Sequence, residues 1–109
     1  MNRRNEMVHA ERIVRAEMEN IDAEVKERKA DSIIKGMMRS SSQIRSEELD
    51  HARSRIRAGA DVDEVMDDLT KAMISKMLAK PINKLKEASR NGRTDYCEVA
   101  SELFGVDGQ

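Results

Sequence analysis

The chain alternates long stretches with helical periodicity and short breaks, and shows no strand pattern of useful length. In the first stretch Met7, Val14 and Ile21 recur every seven residues, and Met18 and Val25 follow Val14 and Ile21 by four. Glu11 interrupts the pattern where the earlier apolar partner would stand. A seam this narrow on a charged helix suits packing against one other helix along its length. The spacing predicts a first helix over 1–28. Around "KADS", residues 29–32, a bend is expected, because Asp31 or Ser32 can accept a hydrogen bond from a first-turn N–H and cap a new helix. The second helix, 32–58, would carry Ile33, Ile34, Met37, Met38, Ile44, Leu49, Ala52 and Ile56, and would run on through the weak "SSS" at 40–42.

"AGAD" at 58–61 is the clearest stop and start. Gly59 suits a left-handed terminal position, and Asp61 with Glu64 makes a capping box. The third helix, 61–80, has the broadest apolar face: Val62, Val65, Met66, Leu69, Met73 and Met77, widened by Ile74 and Leu78. It should therefore be the most buried. Acidic residues at its start and lysines at its end complement the helix dipole. Pro81 is expected to open a short fourth helix over 81–90, since a missing N–H costs nothing at a first helical position. A loop at "RNGRTD" leads to a last short helix over 95–104, capped by Asp95 with Glu98, and "GVDGQ" reads as a frayed end. The predicted fold is all-α: a long N-terminal helix and three or four further helices in one bundled domain.

Composition decides whether such a chain folds alone. Its 109 residues hold 2% aromatics and 38% charged groups, with eight methionines adding apolar volume. A compact globule of this size buries roughly 12,000 Å² on folding, worth about 160 kcal/mol if a little over half is apolar. Ordering the chain costs about the same, at roughly 1.5 kcal/mol per residue. A partner surface must supply the surplus, and a homodimer is the simplest partner. The interface expected from these patterns is Met66, Leu69, Met73, Met77, Ile82 and Leu85, supported by the seam Val14, Met18, Ile21 and Val25.

Candidate chemistry is sparse. There is no glycine-rich phosphate loop, no zinc-spaced cysteine pair and no helical HExxH. His9 and His51 stand alone among charges. Cys97 lies in acidic "TDYCEV", which disfavours a thiolate, so it reads as structural. One cysteine forms no internal disulfide and fits a cytoplasmic setting. No apolar run reaches the length of a membrane span. Catalytic, cofactor-binding and metal-ligating residues are therefore expected to be absent from this segment. Arg39, Arg45, Arg53, Arg55 and Arg57 make the second helix basic and offer an alternative reading, a small RNA-binding module, but aromatic stacking partners are missing and Glu47, Glu48 and Asp50 interrupt the stripe. A third reading is an adaptor for another protein's helix.

Four short pieces, in order, carry a resemblance. "AERIVRAEME" at 10–19, "QIRSEELDHA" at 43–52, "LTKAMISKMLAKPINKLK" at 69–86 and "ELFGV" at 102–106 together resemble the C-terminal dimerisation domain of glutamyl-tRNA reductase. The chain departs from that family at Ala79, where the family usually has histidine, and at Ile21 and Glu24, where it has aromatic residues. These departures fit a divergent, archaeal branch. The resemblance implies a parent oxidoreductase that binds glutamyl-tRNA, attacks the ester with a cysteine of an N-terminal catalytic domain, and reduces the thioester with NADPH to glutamate-1-semialdehyde, the first step of tetrapyrrole and porphyrin synthesis. It implies that this segment begins after those domains, that Cys97 is not the catalytic cysteine, that tRNA and NADPH are bound only by the missing parts, and that the segment holds a V-shaped homodimer together.

Overall fold

A computed structural model describes residues 3–107. Three helices account for nearly all of them: α1, Arg3–Arg57; α2, Val62–Arg90; and α3, Asp95–Phe104. The fold is all-α with a long N-terminal helix, as the periodicity indicates. There are fewer helices than expected because two predicted breaks are absent.

The first is at 29–32. These residues are helical, and α1 is continuous for 55 residues. Asp and Ser inside a helix cost only about half a kcal/mol each relative to alanine. A break would also leave several backbone groups without helical partners. With no glycine or proline at 29–32 to force one, helix wins, and neither Asp31 nor Ser32 acts as a cap. The "SSS" at 40–42 is helical as expected.

The second is at Pro81, which lies inside α2 and does not start a helix. Proline removes the bond that residue 81 would give to the carbonyl of Met77. Both Pro81 and Met77 are exposed, so water can reach that part of the helix. The lost bond does not outweigh the apolar contacts that continue beyond it.

The chain divides into two units, one ending at Ser40 and the other beginning at Ser41. In the first, every described residue is exposed. In the second, the end of α1 returns through a tight turn into α2. Asp61 caps α2, accepting a 3.1 Å bond from the Glu64 backbone N–H. Each helix ends in the same way. The Ala60, Arg93 and Val106 N–H groups donate to the carbonyls of Arg55, Ala88 and Ser101, five residues back. The residue before each donor is a glycine with positive φ, Gly59 at 93° for the first, as this terminating motif requires. The frayed end expected from Gly105 onward is thus an ordered helix stop as far as Val106.

The start of α3 differs from expectation. Its N-cap is Thr94, with no side-chain cap bond, and Asp95 is already helical. The Tyr96 and Cys97 N–H groups donate to the carbonyls of Arg93 and Thr94, so the turn itself satisfies donors that a capping side chain would otherwise take. The Arg93 guanidinium lies 4.4 Å from the centre of the Tyr96 ring, and its other contact is Asp95 at 3.8 Å.

Only Ala52, Val65 and Ala88 are buried apolar residues among the described ones, and Val65 alone is essentially inaccessible, at 1% exposure. Two of the three are alanines, which let helix backbones approach closely. α2 holds the one fully buried side chain among the described residues, Val65, but still exposes Val62, Met66, Ile74, Met77 and Ile82.

Candidate association surface

The expected interface residues fall into three sets. Val14, Met18, Ile21 and Val25 line one side of α1 in the first unit, with no covering residue. They are 55, 61, 58 and 44% exposed. Met66, Met73 and Met77 recur on one face of α2, with Met73 half-buried and the other two exposed. Leu69 and Leu85 are half-buried for internal reasons. Leu69 lines the groove between the end of α1 and α2, and Leu85 lines the one between α2 and α3. Ile82 is exposed.

The α1–α2 groove holds the one buried charge among the described residues, Glu48. A carboxylate buried without a partner is costly. Lys76 reaches across from α2 and donates to it. That hydrogen bond, and then the attraction of the Glu48 charge, raises the Lys76 pKa above the usual 10.5. A second clamp, Arg55 to Asp68 at 2.8 Å, closes the groove toward the turn. On the outer surface of α2, Lys71 donates to Asp67 at 2.8 Å, and that bond raises the Lys71 pKa too. Glu48 was legible only indirectly. It stands four residues from both Ile44 and Ala52, where the helical period calls for an apolar side chain.

Two arginines of the second half of α1 are held by acidic side chains. Arg55 turns to Asp68 and Arg53 to Asp50 at 3.8 Å. His51 lines the α1–α2 groove beside Glu47 and Glu48. Cys97 is exposed and free, with its sulfur 3.3 Å from the Ser89 hydroxyl. No cluster of three or more His, Cys, Asp or Glu side chains suited to a metal ion occurs among the described residues. No described helix is long and apolar enough to cross a membrane.

α3 adds apolar surface. Tyr96, Val99, Leu103 and Phe104 line a shallow groove of about 300 Å³ against Pro81 and Leu85 of α2. Leu103 remains 76% exposed and Phe104 55%. The described residues carry apolar faces on all three helices, set between charged rows.

Comparison with known proteins agrees with that character. The glutamyl-tRNA reductase of Methanosarcina acetivorans is 32% identical over 109 residues, covering 96% of this chain and 24% of that protein. That of Methanococcoides burtonii is 33% identical over 101 residues, covering 89% of this chain and 24% of the relative. That of Pseudomonas aeruginosa is 31% identical over 98 residues, with 90% and 23% covered. The chain therefore spans about a quarter of the length of these relatives. No solved structure matches it significantly. The family model for the glutamyl-tRNA reductase dimerisation domain matches residues 9–106, and the chain belongs to that family.

Proposed function

We propose that this chain is the homodimerisation module of an NADPH-dependent glutamyl-tRNA reductase, and that its own surfaces serve association. The parent protein would convert glutamyl-tRNA to glutamate-1-semialdehyde for tetrapyrrole synthesis, with tRNA and NADPH bound by domains outside this segment. The reaction is carried by the family and its relatives. The association is carried by surface area.

The chain exposes 9918 Å². A compact monomer of 12.4 kDa exposes about 6,100 Å². The excess is about 3,800 Å² per chain, while obligate homodimer interfaces bury roughly 2,000–5,000 Å² in total. Covering even half of the excess on each of two copies reaches that range. Much of this surface is apolar: among others, Met7, Met18, Ile33, Met37, Met66, Ile74 and Leu103 are each more than half exposed. Monomers rarely leave contiguous apolar patches of that extent open. Within α2, Met66, Met73 and Met77 form the face we assign to the second copy, with Ile82 on the opposite side of the helix and Val14, Met18, Ile21 and Val25 of α1 as further contacts. Leu69 and Leu85 support it by fixing α2 against its neighbours.

Multi-angle light scattering on the chain at micromolar concentration tests this reading. The expected mass is twice 12.4 kDa. A folded monomer would overturn it.

A further inference from the structure

Helix α1 is weakest in one short stretch. Five of the eleven residues 32–42 are glycine or serine, against none of the twenty-nine from Arg3 to Asp31. Glycine is the poorest helix former after proline, and serine falls well below alanine. Gly36 has no steric reason to be glycine. A Cβ added there meets nothing within 4 Å in the chain, and its φ is not among the positive ones. Alanine would fit at that position and would hold the helix better.

The same stretch lies where the support of α1 changes. Up to Ser40 every described residue is exposed, and the second compact unit starts at Ser41. Farther on, Glu48, Ala52 and Arg55 line the groove against α2. At 100° per residue, the earlier seam of Val14, Met18, Ile21 and Val25 faces about 160° away from them. Among the described residues, no neighbour steadies both ends of α1.

The residues present supply the means to bend. An exposed glycine opens the helix backbone to water. A serine or threonine hydroxyl can bond the carbonyl four residues back, which bends a helix. Thr70 makes that contact in α2, donating to the Met66 carbonyl at 3.0 Å. At the same spacing, Ser40, Ser41 and Ser42 can donate to the carbonyls of Gly36, Met37 and Met38. Glycine and serine pairs are among the few recurrent causes of sharp helix kinks.

We propose that residues 36–42 are a bend point built into α1, where the helix opens locally and changes direction while the parts on either side stay helical. Its use is aim. The seam of Val14, Met18, Ile21 and Val25 can be turned toward the surface it covers, while the Glu48–Lys76 and Arg55–Asp68 pairs keep the α1–α2 groove closed. The bend belongs to the single chain and does not depend on the homodimer.

The test is pulsed electron–electron spin resonance on the full chain in a Cys97→Ser background, where introduced cysteines are the only thiols. Spin labels go on Glu24→Cys, before the stretch, and Lys80→Cys, on α2; both positions are exposed. Excess unlabelled chain leaves one labelled copy in any assembly. The frozen ensemble should give a broad distribution of label distances. Gly36→Ala with Ser40→Ala, Ser41→Ala and Ser42→Ala should narrow it toward the width of Arg45→Cys with Lys80→Cys, a pair wholly within the second unit. Asn20→Ala with Asp22→Ala also raises helix propensity, but outside the stretch, and should leave the distribution broad. A narrow distribution in the chain with Gly36 and the serines intact would mean a rigid α1 and would overturn the proposal. A broad one that the four alanines leave unchanged would overturn it too, as would equal narrowing by the Asn20 and Asp22 changes. Each of these results leaves the homodimer reading to light scattering.

Discussion

Met77→Asp places a charge on the α2 methionine face without touching a side chain buried inside the chain. Met77 is 42% exposed in the single chain, so a carboxylate there remains hydrated when the chain is alone. In the proposed dimer it is covered, once in each copy. Fully burying a methionine contributes roughly 1.5–3 kcal/mol, so covering the exposed part is worth about 1 kcal/mol per copy. Dehydrating an ion costs several kcal/mol. Lys80, one turn on, can offset less than about 1 kcal/mol of that in an exposed pairing. A net carboxylate penalty of about 2 kcal/mol per copy is therefore a low figure. Together the two copies lose about 6 kcal/mol, or about four decades in Kd at 1.4 kcal/mol per decade. Sedimentation equilibrium across a micromolar dilution series measures the shift, and far-UV circular dichroism on the same samples reports helix content. Met77→Leu, close in volume, should cost less than about 1.5 kcal/mol. An unchanged Kd for Met77→Asp would remove the α2 methionine face from the interface.

Stability should fall at alkaline pH. Lys71 and Lys76 bind their protons more tightly when folded, through bonds to Asp67 and Glu48. Their contribution is complete below the ordinary lysine value of 10.5 and is lost as pH rises through the higher folded values. Urea midpoints measured at neutral and strongly alkaline pH should show that decline, and a Lys71→Ala, Lys76→Ala double variant should show less of it; an equal decline in both would refute the assignment. Pro81→Ala should stabilise α2 by about 1–3 kcal/mol, because it restores the missing bond and removes the least helical residue from a helix interior. Urea unfolding measures it, and a loss of stability would show that the proline holds a geometry the helix needs.

The all-α class, the turn at 58–61 and the extent of α3 were legible because each rests on a local signal of a single kind. Heptad spacing, a glycine with positive φ and an aspartate cap act over a few residues and need no tertiary information. The breaks at 29–32 and 81 were misread for opposite reasons. At 29–32 the apolar pattern does change direction, and a new helix is the simplest account of that. The alternative, one helix with two faces, costs nothing locally and depends on neighbours outside the chain. At Pro81 the residue itself carries the signal, but continued apolar spacing from Met77 to Leu85 on exposed helix outweighs one lost bond. Leu69 and Leu85 show a further gap. Periodicity places a leucine on an apolar face without saying whether the same chain or another covers it. Glu48 was hidden among acidic neighbours, and only its phase marked it as different from Glu47 and Asp50.

The scarcity of a core has a consequence for what holds this protein together. Inside the chain, the described contacts include one fully buried valine, two buried alanines, half-buried leucines such as Leu69 and Leu85, two cross-helix ion pairs and the helix caps. The exposed Arg55–Asp68 pair is worth about 1 kcal/mol or less, Lys76 chiefly offsets the cost of burying Glu48, and a single cap contributes about 1 kcal/mol. These terms fix the α1–α2–α3 arrangement but fall far short of offsetting the entropy of ordering the chain. The first unit has no internal tertiary contact of its own, and an isolated helix in water is marginal. In the homodimer we propose, its persistence as helix comes from the surfaces it covers. Folding and association would then be one equilibrium, in which stability depends on protomer concentration. In the proposed homodimer the apolar residues left exposed along α1 and α2 are the source of that coupling, because surface that adds nothing to a monomer core is open to a second chain.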